Sequence, residues 1–229
     1  MSESELPRFY GRRSGKKLRP NALARLDELL PRLTVTLPEP GQLIESNTLF
    51  DKPVSEVWLE IGFGGGEHLA AQASLYPDVG LIGGEVFRNG IASLMAHLTE
   101  QTQQTVRVFP EDIRRLFPAL PNACLSKVFL LFPDPWPKSR HADRRFVGPE
   151  NLDSLARLMR PGGELRVASD DPIYARWAEK HLEAHSAFNK VQVTQNRTEL
   201  PADWPVTRYE SKLLAGHPPT FFRYARDLT

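Results

Sequence analysis

From residue 54 onward, apolar runs rich in β-formers alternate strictly with stretches of helical periodicity, and this alternation is what most restricts the fold. Strands are expected at 56–61, 80–86, 105–109, 125–132 and 164–169, and helices at 66–74, 88–100, 111–116, 150–160 and 172–186. Strands joined through helices pair in parallel with right-handed crossovers, so the chain reads as an α/β protein with a doubly wound sheet and helices on both faces. Two more strand candidates, 191–194 and 220–225, flank a proline-punctuated segment too long for a tight hairpin. The C-terminal strand is expected to run antiparallel to an otherwise mostly parallel sheet.

The fourth strand carries the most unusual chemistry. Residues 128–132 form an unbroken apolar run, as a strand buried on both faces requires. The run stops at Pro133, and Pro135 and Pro137 follow at alternate positions, barring helix and ladder alike. Asp134 and Trp136 are therefore expected on a stiff extended turn at the carboxyl end of a strand, where open α/β sheets bind ligands. Lys138, Arg140, His141, Arg144 and Arg145 come next, opposed only by Asp143. An acid and a large aromatic at the mouth of a cationic segment suit a flat, polyanionic substrate. Trp136 either stacks on that substrate or plugs the turn from below.

Net charge is only +1, from 29 Lys and Arg against 28 Asp and Glu, so any affinity for nucleic acid has to come from clustered charge. One such cluster lies in the first twenty residues, which hold Arg8, Arg12, Arg13, Lys16, Lys17 and Arg19 with Phe9 and Tyr10 among them. This arm reads either as a phosphate-binding segment with an aromatic to stack or as a solvated tail. A short helix over 21–30, capped by Asn21, and a linker punctuated by Pro31, Pro38, Pro40 and Gly41 complete a leading segment of residues 1–50. Residues 51–229 form the main domain. A lone cysteine permits no intrachain disulfide, and no apolar run approaches the roughly 18 residues of a membrane span. The expectation is a soluble, cytoplasmic protein, monomer or homodimer, with no membrane and no indicated protein partner.

The first strand ends in EIGFGGGEH, residues 60–68. A dinucleotide fingerprint beginning at Gly62 and Gly64 needs its third glycine at position 67, where Glu67 stands and would repel a pyrophosphate. What remains, Glu60 followed by glycines 62, 64 and 66, resembles the E-x-G-x-G-x-G loop of class I S-adenosylmethionine-dependent methyltransferases. Glu60 then stands beside a cationic methionine moiety. Glu85, ending the second strand, is placed to accept from ribose hydroxyls, and Asp112, after the third, from an adenine amino group.

Together, EIGFGGGEH, FPDPWPKSRHADRR (132–145), ASDDPIY (168–174) and TRYESKLLAGHP (207–218) resemble the tRNA (guanine-N7)-methyltransferase family from about residue 55 to the C-terminus. The resemblance implies a Rossmann-like methyltransferase fold, S-adenosyl-L-methionine as methyl donor, and a guanine in the variable loop of tRNA as substrate. By matching position it places Glu60, Gly62, Gly64, Gly66, Glu85, Asp112 and Asp134 at the cofactor, with Asp134 also the active-site acid. It places Lys138, Asp170, Thr207, Arg208, Tyr209 and Glu210 at the substrate, and Arg140, His141, Arg144 and Arg145 against RNA. From the residues themselves no metal is expected, because Asp170 and Asp171 lack a third carboxylate at useful spacing. Two departures stand out. Asp143 replaces a common basic residue, weakening a phosphate contact, and Gly84 replaces a usual isoleucine, which is expected to loosen packing. The alternatives are a methyltransferase for another RNA base and a non-catalytic tRNA-binding module.

Overall fold

The structure, a computed structural model, describes residues 10–206, 210 and 216–228. The described elements in chain order are α1 (Pro20–Leu33), β1 (Glu56–Ile61), α2 (Glu67–Leu75), β2 (Val79–Gly84), α3 (Arg88–His97), α4 (Glu100–Gln103), β3 (Val106–Phe109), β4 (Leu125–Leu131), α5 (Pro149–Leu158), β5 (Met159–Ser169), α6 (Pro172–Ala184), β6 (Phe188–Thr194) and β7 (Thr220–Arg226). The strands form one sheet in the order β3-β2-β1-β4-β5-β7-β6. β7 runs antiparallel to both β5 and β6. The strand order reverses between β1 and β4, which are parallel neighbours, and a reversal of this kind opens a crevice at the strands' carboxyl ends.

Alternating residues of the central strands feed two separate cores. Val57, Leu59, Val128 and Leu130 pack with Leu155, Tyr174 and Leu182 of α5 and α6. Trp58, Phe129 and Leu131 pack with Leu26, Leu69 and Leu94 of α1, α2 and α3. A period of two with both faces covered explains why these strands read as continuous apolar runs. The chain after α1 also covers the edge at β3: Thr34 bridges Val108, and Val35 donates to the Val108 carbonyl at 2.9 Å.

Several expected boundaries move for local reasons. α1 starts at Pro20, whose fixed φ suits a first helical position, with Arg19 and not Asn21 as its cap. It runs through Pro31 to Leu33, so Pro31 belongs to the last turn of the helix and not to a linker. The expected helix over 111–116 is replaced by two short 3₁₀ turns, Ile113–Arg115 and Phe117–Ala119, with Pro110 ahead of the first and Pro118 inside the second. The expected helix over 150–160 ends at Leu158, because β5 begins at Met159, pairs with Leu125, and crosses Pro161 and Gly162 through an irregularity in register. Gly84 does not loosen the packing. A Cβ there would stand 2.7 Å from the Ile113 Cβ, so the first 3₁₀ turn fills the space a larger residue would take.

Beneath the sheet's second face, Arg166 on β5 is buried and donates to both oxygens of Asp203, at 3.0 and 3.1 Å, and pairs with Glu164 at 3.0 Å. Lys127 joins Asp203 at 3.2 Å. Burial alone raises both carboxyls, but Arg166 and Lys127 outweigh it and hold both below the usual range. A depressed folded value stabilises the fold above the unfolded pKa, near 4, and that contribution is lost as the pH falls through the lower folded values. Urea midpoints measured between about pH 5 and 3 are therefore expected to fall, and Arg166→Met to flatten that dependence. An unchanged slope in the variant would remove Arg166 as its source.

Candidate active site

The carboxyl ends of β1, β2, β3 and β4 border a cavity of about 680 Å³, within the range of small-molecule sites. Gly62 and Gly64 form part of its wall, with φ of 69° and 56°. Nothing lies within 4 Å of where a Gly62 Cβ would project, so this backbone is open to close approach by a ligand. Gly66 is not among the lining residues. It precedes α2 with φ 81°, and a Cβ there would meet Leu94 at 2.6 Å, so its bareness serves the contact with α3.

Glu85, Asp112 and Asp134 all line the cavity, one from each of three successive strand ends. Glu85 also ties the glycine loop to the start of α3: Oε2 accepts the Gly64 N–H at 2.8 Å, and Oε1 accepts those of Val86 and Phe87 at 2.8 and 2.9 Å. Burial pushes its carboxyl above the usual range; the three amides pull it down, and Asp134 adds to the rise. Asp112 caps the first 3₁₀ turn through the Arg114 N–H at 3.1 Å and pairs with the Arg114 guanidinium, Nε to Oδ1, at 2.9 Å. Arg114 lines the cavity too. A residue two places beyond a strand-end acid gives no sequence signal of that kind.

Glu60 is turned away. It is 3% exposed, stands on the α2 side of β1, and meets His68 Nδ1 at 2.8 Å. Gln72, next to His68 on α2, donates to the Asp203 carbonyl at 2.7 Å, linking this pair to the segment before residue 207. His68 lies eight residues beyond Glu60, in the next element, so the pairing is a product of the fold and not of local spacing.

The proline turn is not extended throughout. Phe132 and Trp136 each precede a proline and take left-handed φ values, 53° and 40°. Such conformations are uncommon for bulky residues and each costs on the order of 1–3 kcal/mol. They leave Asp134 exposed at the cavity mouth, while Trp136 is half-buried. Trp136 meets Tyr10 edge-on at 6.2 Å, and the Arg144 guanidinium lies 4.0 Å from the Tyr10 ring and 5.0 Å from that of Trp136. Tyr10, Gly11 and Arg12 line the cavity, held there by the adjoining arm: Arg88 N–H donates to Arg13, and Asn89 bonds the backbones of Gly15 and Lys16.

The cationic segment divides by direction. Lys138 and Arg140 are exposed and do not line the cavity; Arg144 lines it; His141 packs edge-on to Trp136 at 6.0 Å. Partial desolvation, then Arg144, Arg140 and Lys138, push the His141 pKa below its usual value. Arg145, also expected against RNA, is only 6% exposed and points inward, to the carbonyls of Pro135 and Trp136. Asp170 lines a second cavity of about 560 Å³ between β5, α6 and β7, while Asp171 caps α6 by accepting from Ile173 and Tyr174. Thr207, Arg208 and Tyr209 lie outside the described residues. Glu210 pairs with Arg197 at 3.0 Å.

Residues 54–222 match a family model described as "Putative methyltransferase". The chain is 62% identical to a tRNA (guanine-N(7)-)-methyltransferase of Paramagnetospirillum magneticum, over 97% of this chain and 94% of that protein. It is 50% identical to another of the same name from Rhodospirillum rubrum, over 97% and 89%. Among solved structures, the 16S rRNA methyltransferase KamB shares the fold, with a TM-score of 0.57 at 16% identity over 76% of this chain and 89% of that one. The chain belongs to the tRNA (guanine-N(7)-)-methyltransferase family.

Proposed function

We propose that this chain transfers a methyl group from S-adenosyl-L-methionine to N7 of a guanine in the variable loop of tRNA. One observation carries the reading: two left-handed glycines and three strand-end acids share a cavity whose mouth is the Asp134 turn and its cationic continuation. The bare Gly62 backbone and the carboxylates of Glu85 and Asp112 fit a nucleoside with polar ribose and base edges. Gly66 supports that wall from behind. Glu60, expected at the methionine end of the cofactor, is held through one carboxylate oxygen by His68.

The cofactor supplies an electrophilic methyl on a sulfonium, and the electron pair of the breaking C–S bond stays on sulfur. Guanine N7 has an in-plane lone pair and no proton, so the protein needs no general base. Its task is to hold N7 in line with the methyl carbon and to offset positive charge arriving on the base. Asp134 does both, as an acceptor for the guanine N1–H and amine edge and as a fixed negative charge. Trp136 offers a ring beside it. Lys138, Arg140, His141 and Arg144 receive phosphate, and Asp170, Thr207, Arg208, Tyr209 and Glu210 receive the substrate.

Incubating the protein with labelled S-adenosylmethionine and unmodified bulk tRNA, then digesting to nucleosides, is expected to give labelled 7-methylguanosine. A different methylated nucleoside would overturn the reading of Asp134. No product with cofactor binding intact would point to a missing partner or another substrate, and tRNA binding with neither product nor cofactor binding would favour the binding-module alternative.

A further inference from the structure

We infer that Arg145 is a positioning residue for methyl transfer, acting through the backbone of the Asp134 turn and not through phosphate. The inference rests on the proposed activity for its kinetic arm only. Residues 133–137 contain three prolines and so are poor in N–H donors, and neither helix nor ladder provides partners for their carbonyls. Arg145 supplies them. Nε lies 3.2 Å from the Pro135 oxygen and 3.3 Å from that of Trp136, and Nη2 lies 2.9 Å from the Trp136 oxygen.

A planar guanidinium with five donors in a fixed fork can serve two adjacent carbonyls at once. Its far side is anchored on α6, where its central carbon stands 4.7 Å from the Trp177 ring, and Trp177 donates to the Val147 carbonyl at 2.5 Å. Arg145 thus clamps the turn to a helix. The clamp grips Trp136, one of the two left-handed pre-proline residues, whose conformation persists only where its surroundings over-determine it. Asp134 sits between the two strained positions, so its placement depends on this grip. Arg140, five residues earlier, is exposed and shares none of these contacts.

Arg145→Lys separates the two readings, because it keeps the positive charge that a phosphate needs and loses the fork that two carbonyls need. The expected result is a kcat lowered by about tenfold in Arg145→Lys and about a hundredfold in Arg145→Met, as a displacement of about 1 Å can produce. The KM for tRNA and the salt dependence of tRNA binding should stay near wild type in both. Arg140→Met should instead flatten the salt dependence by roughly one unit of slope. Amide exchange across residues 132–145, measured on the full chain, should quicken in both Arg145 variants. That readout tests the clamp even if the wild-type protein makes no 7-methylguanosine, a result that would count against the activity alone. Wild-type kcat and exchange in Arg145→Lys, or a flattened salt slope with unchanged kcat in Arg145→Met, would return Arg145 to the phosphate contacts.

Discussion

Replacing Asp134 with alanine is expected to lower kcat by about 100- to 1,000-fold, the scale of losing one preorganised electrostatic contact, while tRNA affinity changes by less than about twofold. The asymmetry follows from where the residue sits. Asp134 is the exposed acid of a proline-rich turn at the cavity mouth, and the exposed cations, Lys138 and Arg140, lie beyond it on the same segment. Removing one carboxylate takes nothing from the phosphate contacts, and relieves some repulsion. It does take away the group that fixes the guanine edge and balances the charge arriving at N7. Asp134→Asn divides those two duties. The amide keeps one oxygen acceptor but lacks the charge, so recovery to within about tenfold of wild type would assign most of the effect to orientation, and no recovery would assign it to electrostatics. Single-turnover rates with saturating cofactor and tRNA, beside filter-binding affinities, make the measurement. Equal losses of rate and tRNA affinity in Asp134→Ala would show a residue that holds RNA and not one that positions the base.

The sequence located the strand ends well and the side-chain directions less well. Val128 to Leu131 had to be buried on both faces, and the prolines had to end the strand, so the place of the Asp134 turn in the chain was legible from local chemistry, while the left-handed conformations of Phe132 and Trp136 within it were not. Glu85 and Asp112 followed from the topology, since strand ends in a parallel sheet open on one side. Arg145 could not be separated from Arg144 and Arg140 in the same way. A run of basic residues shows charge without direction, and what draws Arg145 inward is Trp177, 32 positions later on another element. Glu60 shows the same limit. Its parity with Trp58 put it on the α2 side of β1, but the partner that holds it there, His68, becomes visible only when α2 packs down. The early start of β5 was hidden for a different reason: Pro161, Gly162 and Gly163 carry every mark of a turn, yet stand inside an irregular strand.

Gly90→Ala is expected to weaken cofactor binding by about a hundredfold or more, with a loss of stability of roughly 1–3 kcal/mol. Gly90 lies in the first turn of α3, and a Cβ there would stand 2.1 Å from the Gly64 carbonyl oxygen and 3.0 Å from its carbon. Both partners are backbone, so no side chain can swing aside, and the helix start and the glycine loop must part by about 1 Å to reach ordinary contact distance. The loop is the less secure of the two, because α3 is packed through Ile91, Leu94 and Met95. Displacing Gly64 also strains its hydrogen bond to Glu85, one of the three amides that offset the burial of that carboxyl. The Glu85 pKa should then rise further, so binding to the variant should suffer more at acid pH than binding to the wild type does. Calorimetric titration with S-adenosylmethionine, well below the melting temperature of the variant, reads the effect. Gly148→Ala is the control, since Gly148 has extended backbone, with φ at −167°, and nothing within 4 Å of its Cβ position. Wild-type affinity in Gly90→Ala would mean that the glycine loop does not form the wall against which the cofactor lies.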